Sequence, residues 1–221
     1  MHTDLVARVT EPTGTALISV TPDGENTIIV APGANSVLTL GPAQQERVAE
    51  ADVVLAQLEI PLEVILAAAA ARRTGALLVL NAAPSRELPE ELWDAVDVLV
   101  VNEHEAADLT GADDVTEPAE LASALLTRVP AVVVTLGGEG CLVAERDGEA
   151  HHVPAFPVEP VDTTGAGDTF CGVLAAALAG GATLADAARL AGAAGALAAT
   201  APGAQEAVPT AAAVAELVRD A

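Results

Sequence analysis

Short apolar segments alternate with longer segments of helical character along most of this chain. From Gln44 onward, the apolar segments are predicted to be buried strands, at 53–58, 76–81, 96–101 and 131–136. The segments between and after them are predicted to be helices, near 61–73, 86–94, 103–110, 117–128, 168–180, 183–200 and 210–219. Parallel strands need long crossover connections, and strands covered on both faces are apolar along their whole length. The alternation therefore predicts an α/β fold, a mostly parallel, doubly wound sheet with helices on both faces.

Two β-hairpins are also predicted. In the first, 15–20 and 27–31 are joined by the turn-forming segment T-P-D-G-E-N, and in the second, 141–145 and 149–153 flank Asp147-Gly148. The chain has 221 residues and shows no internal repeat or low-complexity linker. Its length is that of one domain. We therefore predict a single domain over residues 1–221.

The charge of the chain limits its partners. The formal net charge is -23, from 32 acidic and 9 basic residues, and every basic residue is arginine. A field of this sign repels nucleic acid and anionic membranes, so neither is expected as a partner. The N-terminus lacks the apolar stretch of a signal peptide, and Asp186 and Arg189 interrupt the alanine-rich segment 183–200. Cys141 and Cys171 are too few for a disulfide framework or a zinc site. A cytoplasmic location is expected.

The segment V-D-T-T-G-A-G-D-T-F at 161–170 carries the most specific chemical pattern. Its small residues, Gly165, Ala166 and Gly167, let backbone N–H groups approach a ligand at the start of an apolar helix, where the helix dipole favours negative charge. Asp168 places a carboxylate among donors suited to an anion, as expected of a base that deprotonates a nucleophile attacking a phosphate. The pattern predicts phosphoryl transfer. The structural alternative is a glycine-rich turn in which Asp162 and Asp168 are only caps.

This segment resembles the C-terminal signature of the ribokinase-like sugar kinases, also called the phosphofructokinase-B family. The resemblance implies that Asp168 is the catalytic base and contacts the sugar, and that Gly165, Ala166 and Gly167 form an anion hole for the transferring phosphate. It further implies an ATP-dependent kinase, most similar to members that phosphorylate the primary hydroxyl of D-ribose. Another carbohydrate or nucleoside kinase of the same fold remains an alternative, as does a truncated, non-catalytic remnant that binds nucleotide.

Two further segments directly follow predicted strands. By themselves, Asn102 and Glu105 in V-N-E-H-E-A have the spacing of a helix cap, whereas the resemblance implies that they orient the nucleotide phosphates and Mg²⁺, Glu105 through water. The glycines of T-L-G-G-E-G indicate a turn. The resemblance implies that this segment binds the nucleotide, through Thr135, Leu136, Gly137, Gly138, Glu139 and Gly140.

The resemblance assigns three more sets of residues. Glu59, which by itself is a surface glutamate, matches a glutamate that contacts the sugar. Gly192 stands where many members place Asn or His beside the adenine. A monovalent cation, K⁺, is implied at a set of ligands that are largely backbone oxygens, namely those of Asp162, Thr164, Ala198, Ala201, Gly203 and Ala207. At Ala207 a hydroxyl-bearing residue is more usual in the family.

The resemblance covers only the later part of a family domain. The first hairpin, within 13–35, matches a lid that forms a dimer interface, so a homodimer is expected. Nothing corresponds to the family's first strand with its sugar-binding aspartate, nor to its G-G-K-x-x-N-type segment. We therefore expect a sheet that lacks its N-terminal strand and exposes an apolar edge. His151 and His152 are adjacent on a predicted strand and face opposite ways, so no joint role is predicted for them.

Overall fold

The computed structural model describes residues 2–20, 26–112 and 116–221. Its strands in chain order are β1 (Thr15–Val20), β2 (Asn26–Ala31), β3 (Val53–Gln57), β4 (Leu77–Asn81), β5 (Val98–Asn102), β6 (Ala131–Thr135), β7 (Gly140–Glu145) and β8 (His151–Pro154). Its α-helices are α1 (Pro42–Glu50), α2 (Leu62–Ala71), α3 (Glu90–Ala95), α4 (Glu103–Thr110), α5 (Pro118–Leu125), α6 (Ala166–Ala179), α7 (Leu184–Ala198) and α8 (Ala211–Asp220).

Strands β3 to β8 form a six-stranded sheet in the order of the sequence. β3, β4, β5 and β6 are parallel, and β7 and β8 continue the sheet antiparallel. All of the parallel strands therefore end at one edge of the sheet, where ligands of open α/β sheets bind. β1 and β2 form a separate antiparallel hairpin, with Thr15 opposite Ala31.

The parallel strands are buried on both faces. Leu80 and Val101 face a core formed with α2, α3, α4 and α5, whereas Val79 and Val100 face a core formed with α6 and α7. Successive strand residues point to opposite faces, so burial on both sides demands continuous apolar strands. The predicted sheet with helices on both faces is confirmed.

Helix boundaries differ from the prediction where polarity or proline decides them. α1 was not predicted because none of its residues is buried, so its sequence carries no apolar periodicity. α3 begins at Glu90 rather than near 86, because Pro89 precedes it as the N-cap residue in extended conformation. The turn of the first hairpin is predicted at 21–26, and residues 21–25 of it are outside the described ranges.

β3 and β8 are the two edge strands of this sheet, and Leu55 of β3 leaves 39% of its surface exposed. Residues 2–14 contain no strand. In the three described ranges, no helix combines the length and the apolar character that crossing a bilayer requires.

Candidate functional site

The glycine-rich segment forms a tight turn that begins α6. Gly165 is the N-cap residue, with φ of 74° in the left-handed region that favours glycine. The N–H of Ala166 already donates to the carbonyl oxygen of Thr163 at 3.1 Å. The N–H groups of Gly167 and Asp168 donate to no acceptor within the described part of the chain. They are therefore available to an anion, as is the N–H of Gly165, which also donates to no acceptor in the described ranges.

The side chain of Asp168 lies in the first turn of α6 and is exposed. None of the described residues forms a hydrogen bond or an ion pair with its carboxylate. An accessible, uncommitted carboxylate beside two free amides can accept a proton while the amides hold a neighbouring anion.

Asn102 and Glu105 form a complete capping box at the start of α4. The N–H of Glu105 donates to Oδ1 of Asn102 at 2.8 Å, and the N–H of Asn102 donates to Oε2 of Glu105 at 2.8 Å. Burial raises the pKa of the Glu105 carboxyl, and the bond from Asn102 opposes this only in part. The cap predicted from the residues alone is thus present, and Oε1 of Glu105 is left for another partner.

The T-L-G-G-E-G segment follows β6 beside this cap, because Asn102 pairs with Thr135 in the register of β5 and β6. The N–H of Leu136 donates to the carbonyl oxygen of Gly140 at 2.8 Å and closes the turn. Gly140 has φ of 101°, and a Cβ atom there would lie 2.1 Å from the carbonyl oxygen of Val153. No other residue fits this position without displacing β8.

A cavity of about 450 Å³ joins this turn to the start of α6. Seven residues predicted for the anion hole or the nucleotide line it: Thr135, Gly137, Gly138, Gly140, Ala166, Gly167 and Gly192. Four others predicted for these roles do not line it: Asn102, Leu136, Glu139 and Gly165. The structure therefore brings most of the predicted nucleotide-binding residues to one place.

The sequence did not predict one wall of the cavity. This wall is formed by residues 153–158 and Pro160, at and beyond the end of β8, with Gly195 and Ala196 of α7 and its C-cap residue Ala199. The prolines of the segment 153–160 indicate an extended backbone, but they do not indicate that the segment binds a ligand. His152, for which no role was predicted, contacts the T-L-G-G-E-G turn through Nε2, which lies 2.9 Å from the carbonyl oxygen of Glu139.

Asp162 joins the loop before α6 to the loop after α7, and these two loops hold most of the residues predicted for the cation site. Its carboxylate accepts N–H bonds from Thr164 at 2.9 Å and from Gly203 at 3.0 Å. Hydrogen bonds from the Thr164 side chain, then from the Gly203 and Thr164 backbones, lower the pKa of Asp162 to about 2. Ala198 is the last residue of α7 and Ala201 follows it in the second loop, while Ala207 is buried nearby in sequence.

Glu59 lies apart from the cavity. It is exposed just beyond the end of β3, where its N–H donates to Oε1 of Gln57 at 2.8 Å. β3, which Glu59 follows, packs against α6, which carries Asp168 in its first turn. Among the described residues, no group of three or more His, Cys, Asp or Glu side chains forms a metal cluster.

Comparison with known proteins gives a consistent result. The model of the pfkB family of carbohydrate kinases matches residues 2–211. The ribokinase of Haemophilus influenzae is 39% identical over 206 residues, which cover 90% of this chain and 67% of that protein. A bifunctional ribokinase/ribose-5-phosphate isomerase A of Fructilactobacillus sanfranciscensis is 41% identical over 181 residues, 79% of this chain.

The fold is similar to that of solved ribokinases. The structure of Arabidopsis thaliana ribokinase complexed with ribose and ATP matches with a TM-score of 0.87 and 32% identity, over 95% of this chain and 70% of that one. The chain spans from 33% to 67% of the length of the two curated relatives above.

Proposed function

The chain belongs to the pfkB family of carbohydrate kinases, and from this membership we propose that it acts in the ATP-dependent phosphorylation of D-ribose at its primary hydroxyl. The observation that supports this most is the start of α6. There the exposed, unpaired carboxylate of Asp168 lies beside the free amides of Gly167 and Asp168 at the end of the nucleotide-sized cavity. The choice of sugar follows the relatives, which include a ribokinase complexed with ribose and ATP.

In this proposal Asp168 removes the proton of the sugar hydroxyl as that oxygen attacks the γ-phosphorus, and the bond from this phosphorus to the β,γ-bridging oxygen breaks to release ADP. The free amides and the dipole at the start of α6 stabilise the negative charge on the transferring group. The glycine turn at 137–140 and the wall at 153–160 hold the nucleotide. Positioning of this kind supplies most of the rate in phosphoryl transfer. Glu59 would contact the sugar from the neighbouring strand end.

The donor sets fit both predicted cations. Glu105 Oε1 and Asn102 offer few oxygen ligands, which suits Mg²⁺ because it keeps several waters. Bound there, Mg²⁺ would neutralise phosphate charge in a chain whose own net charge is -23. The carbonyl oxygens of the two loops that Asp162 joins suit K⁺, with Asp162 supplying the one full negative charge.

The hairpin of β1 and β2 supports the proposal of a homodimer. Leu17 is 62% exposed and Val30 is 56% exposed. Exposed apolar side chains on a ribbon of this kind suit contact with a second copy of the chain.

Replacing Asp168 with Asn tests the function directly. We expect ribose-dependent ADP release to fall by about 10² to 10⁴-fold, the usual contribution of a general base, while calorimetry shows unchanged affinity for Mg·ATP. The matched control is Asp186→Asn, which changes the third residue of α7 just as the first variant changes the third residue of α6. A near-normal rate in Asp168→Asn would contradict the assigned role. A panel of pentoses, hexoses and nucleosides tests the sugar.

A further inference from the structure

We propose that the nucleotide cavity holds the purine base by shape and apolar contact alone, and does not distinguish the 6-amino group of adenine from the 6-oxo group of hypoxanthine. The inference rests on the proposed function, because it assumes that the cavity binds a nucleoside triphosphate. It assigns Mg·ITP as a phosphate donor equivalent to Mg·ATP.

The position of the base follows from the anion-binding end of the cavity. Gly195 adjoins the start of α6, since a Cβ atom there would lie 3.2 Å from the carbonyl oxygen of Ala166. Gly192 lies one helical turn earlier on α7 and faces Phe156, whose Cε2 would be 4.0 Å from such an atom. With the phosphates at the start of α6, the base therefore lies near Gly192 and Phe156.

No side chain at that end can read the edge of a purine. The described residues that line the cavity include no charged, amide or imidazole side chain. The only polar ones are Thr135, Cys141 and Thr163. The hydroxyl of Thr135 donates to the carbonyl oxygen of Val101 at 3.3 Å, and Cys141 is a buried thiol whose pKa burial raises to about 12. Thr163 belongs to the turn before α6, at the phosphate end.

Few backbone N–H groups there are available to N1 of adenine or to the 6-oxo group of hypoxanthine. Pro154, Pro157 and Pro160 line the cavity and have no N–H. The N–H of Gly192, inside α7, is used within the helix. The faces of the base would instead contact Phe156 and small apolar side chains. The Phe156 ring is fixed by the Arg189 guanidinium, whose carbon lies 5.5 Å from the ring centroid.

A pocket that makes no hydrogen bond to the edge of a base discriminates only weakly between bases of the same shape. A site built to hydrogen-bond a substrate group rejects an analogue that lacks it by about 10⁴ to 10⁵-fold, whereas apolar contacts separate similar ligands far less. ITP is the sharpest probe, because it differs from ATP in the 6-substituent and in the protonation of N1 that follows from it, while its shape is the same.

The experiment compares Mg·ATP with Mg·ITP in two assays, calorimetric binding and ribose-dependent release of the nucleoside diphosphate. We expect Kd and kcat/KM for the two donors to agree within about tenfold. A larger preference for ATP in either assay would overturn the inference, and would mean that a backbone group of 155–159 reads the base. Equal binding without turnover of any sugar would uphold the inference and contradict the proposed function.

Gly192→Leu tests the place of the base. Gly192 lines the cavity, and a Cβ atom added there would have Cε2 of Phe156 at 4.0 Å, an ordinary contact distance. We expect both nucleotides to bind at least tenfold more weakly, in equal proportion, because the added volume excludes either base. Ala179→Leu, at the exposed far end of α6, is the size-matched control. Unchanged binding in Gly192→Leu, with the fold intact by circular dichroism, would overturn the placement.

Discussion

Glu105 caps α4 and is also proposed to bind Mg²⁺ through water, and each of its two carboxylate oxygens serves one of these roles. Oε2 accepts the Asn102 N–H and completes the cap of α4, while Oε1 is free for water on Mg²⁺. The same division explains how one residue can have both the cap spacing seen in the sequence and the metal role that the resemblance implies. The anion hole divides in a similar way, since Ala166 uses its N–H within the turn and leaves those of Gly165, Gly167 and Asp168 to bind. Which amide is free depends on turn geometry that composition does not encode.

Glu105→Gln separates the two roles. Glutamine keeps the capping bond but loses the charge, so we expect no loss of Tm and a higher Mg²⁺ concentration for half-maximal activity. Glu105→Ala should show the same Mg²⁺ defect and also lose about 1 kcal/mol of stability with the cap. Equal Mg²⁺ dependence in wild type and Glu105→Gln, measured by ADP release against Mg²⁺, would leave Glu105 as a cap alone.

The raised pKa of Glu105 also predicts a pH dependence. Because its folded-state pKa lies above the unfolded value, the protonated carboxyl is favoured by folding. Its contribution to stability is complete below the unfolded pKa and is lost as pH rises through the folded pKa. Mg²⁺ affinity should change in the opposite direction, rising with pH through that raised pKa. The Gln variant, which does not titrate there, should lack this part of the profile.

Gly140→Ala tests the turn that positions the nucleotide. Its positive φ and the carbonyl oxygen of Val153 at 2.1 Å from a Cβ atom both oppose a side chain. We expect a loss of about 2 kcal/mol or more, from backbone strain and displaced pairing with β8. Urea unfolding measures it. Gly148→Ala is the control, since its nearest neighbours would be at 3.8 Å, an ordinary contact distance. Equal stability of the two variants would contradict the strain argument.

At the scale of elements, the sequence predicted the strands that are buried in the sheet and missed an exposed helix and an irregular segment. β4, β5 and β6 were placed within two residues, because strands buried on both faces must be continuous apolar runs. α1 escaped prediction because it buries nothing. The cavity wall at 153–160 escaped for another reason. It is irregular and proline-rich, and it lines the cavity only because it contacts α7. No local sequence pattern predicts that contact.

The β1–β2 hairpin is proposed to contact a second copy of the chain. No helix or strand of the described ranges packs extensively against it, and an isolated two-stranded ribbon is marginally stable in water. We expect Leu17→Glu to convert a dimer to a monomer in sedimentation velocity, because a charge would be buried in the interface. Val6→Glu, at a position 74% exposed outside the hairpin, is the control. A monomeric wild type, or a dimer that persists in Leu17→Glu, would contradict the proposal.

For the whole molecule, the net charge of -23 acts in two ways that must be separated. Like charges repel across the folded surface, so any salt should raise Tm by screening, whatever its cation. A K⁺ site would instead depend on the identity of the ion. Asp162 keeps its charge near neutral pH, because its hydrogen bonds hold its pKa at about 2. The stability it contributes is present above the unfolded pKa and is lost only as pH falls through that low value.

Choline chloride and KCl at equal ionic strength distinguish screening from site binding. We expect both salts to raise Tm alike, whereas only KCl raises the rate of ribose-dependent ADP release. In Asp162→Asn the K⁺-specific increment should disappear while the screening effect on Tm remains, because one side chain among 32 acidic residues changes the overall field little. Asn also keeps an oxygen that can accept the Thr164 N–H, although it loses the second acceptor for Gly203. Equal activation by choline would mean that salt acts on this molecule through its overall charge, and would remove the case for a cation held between its two loops.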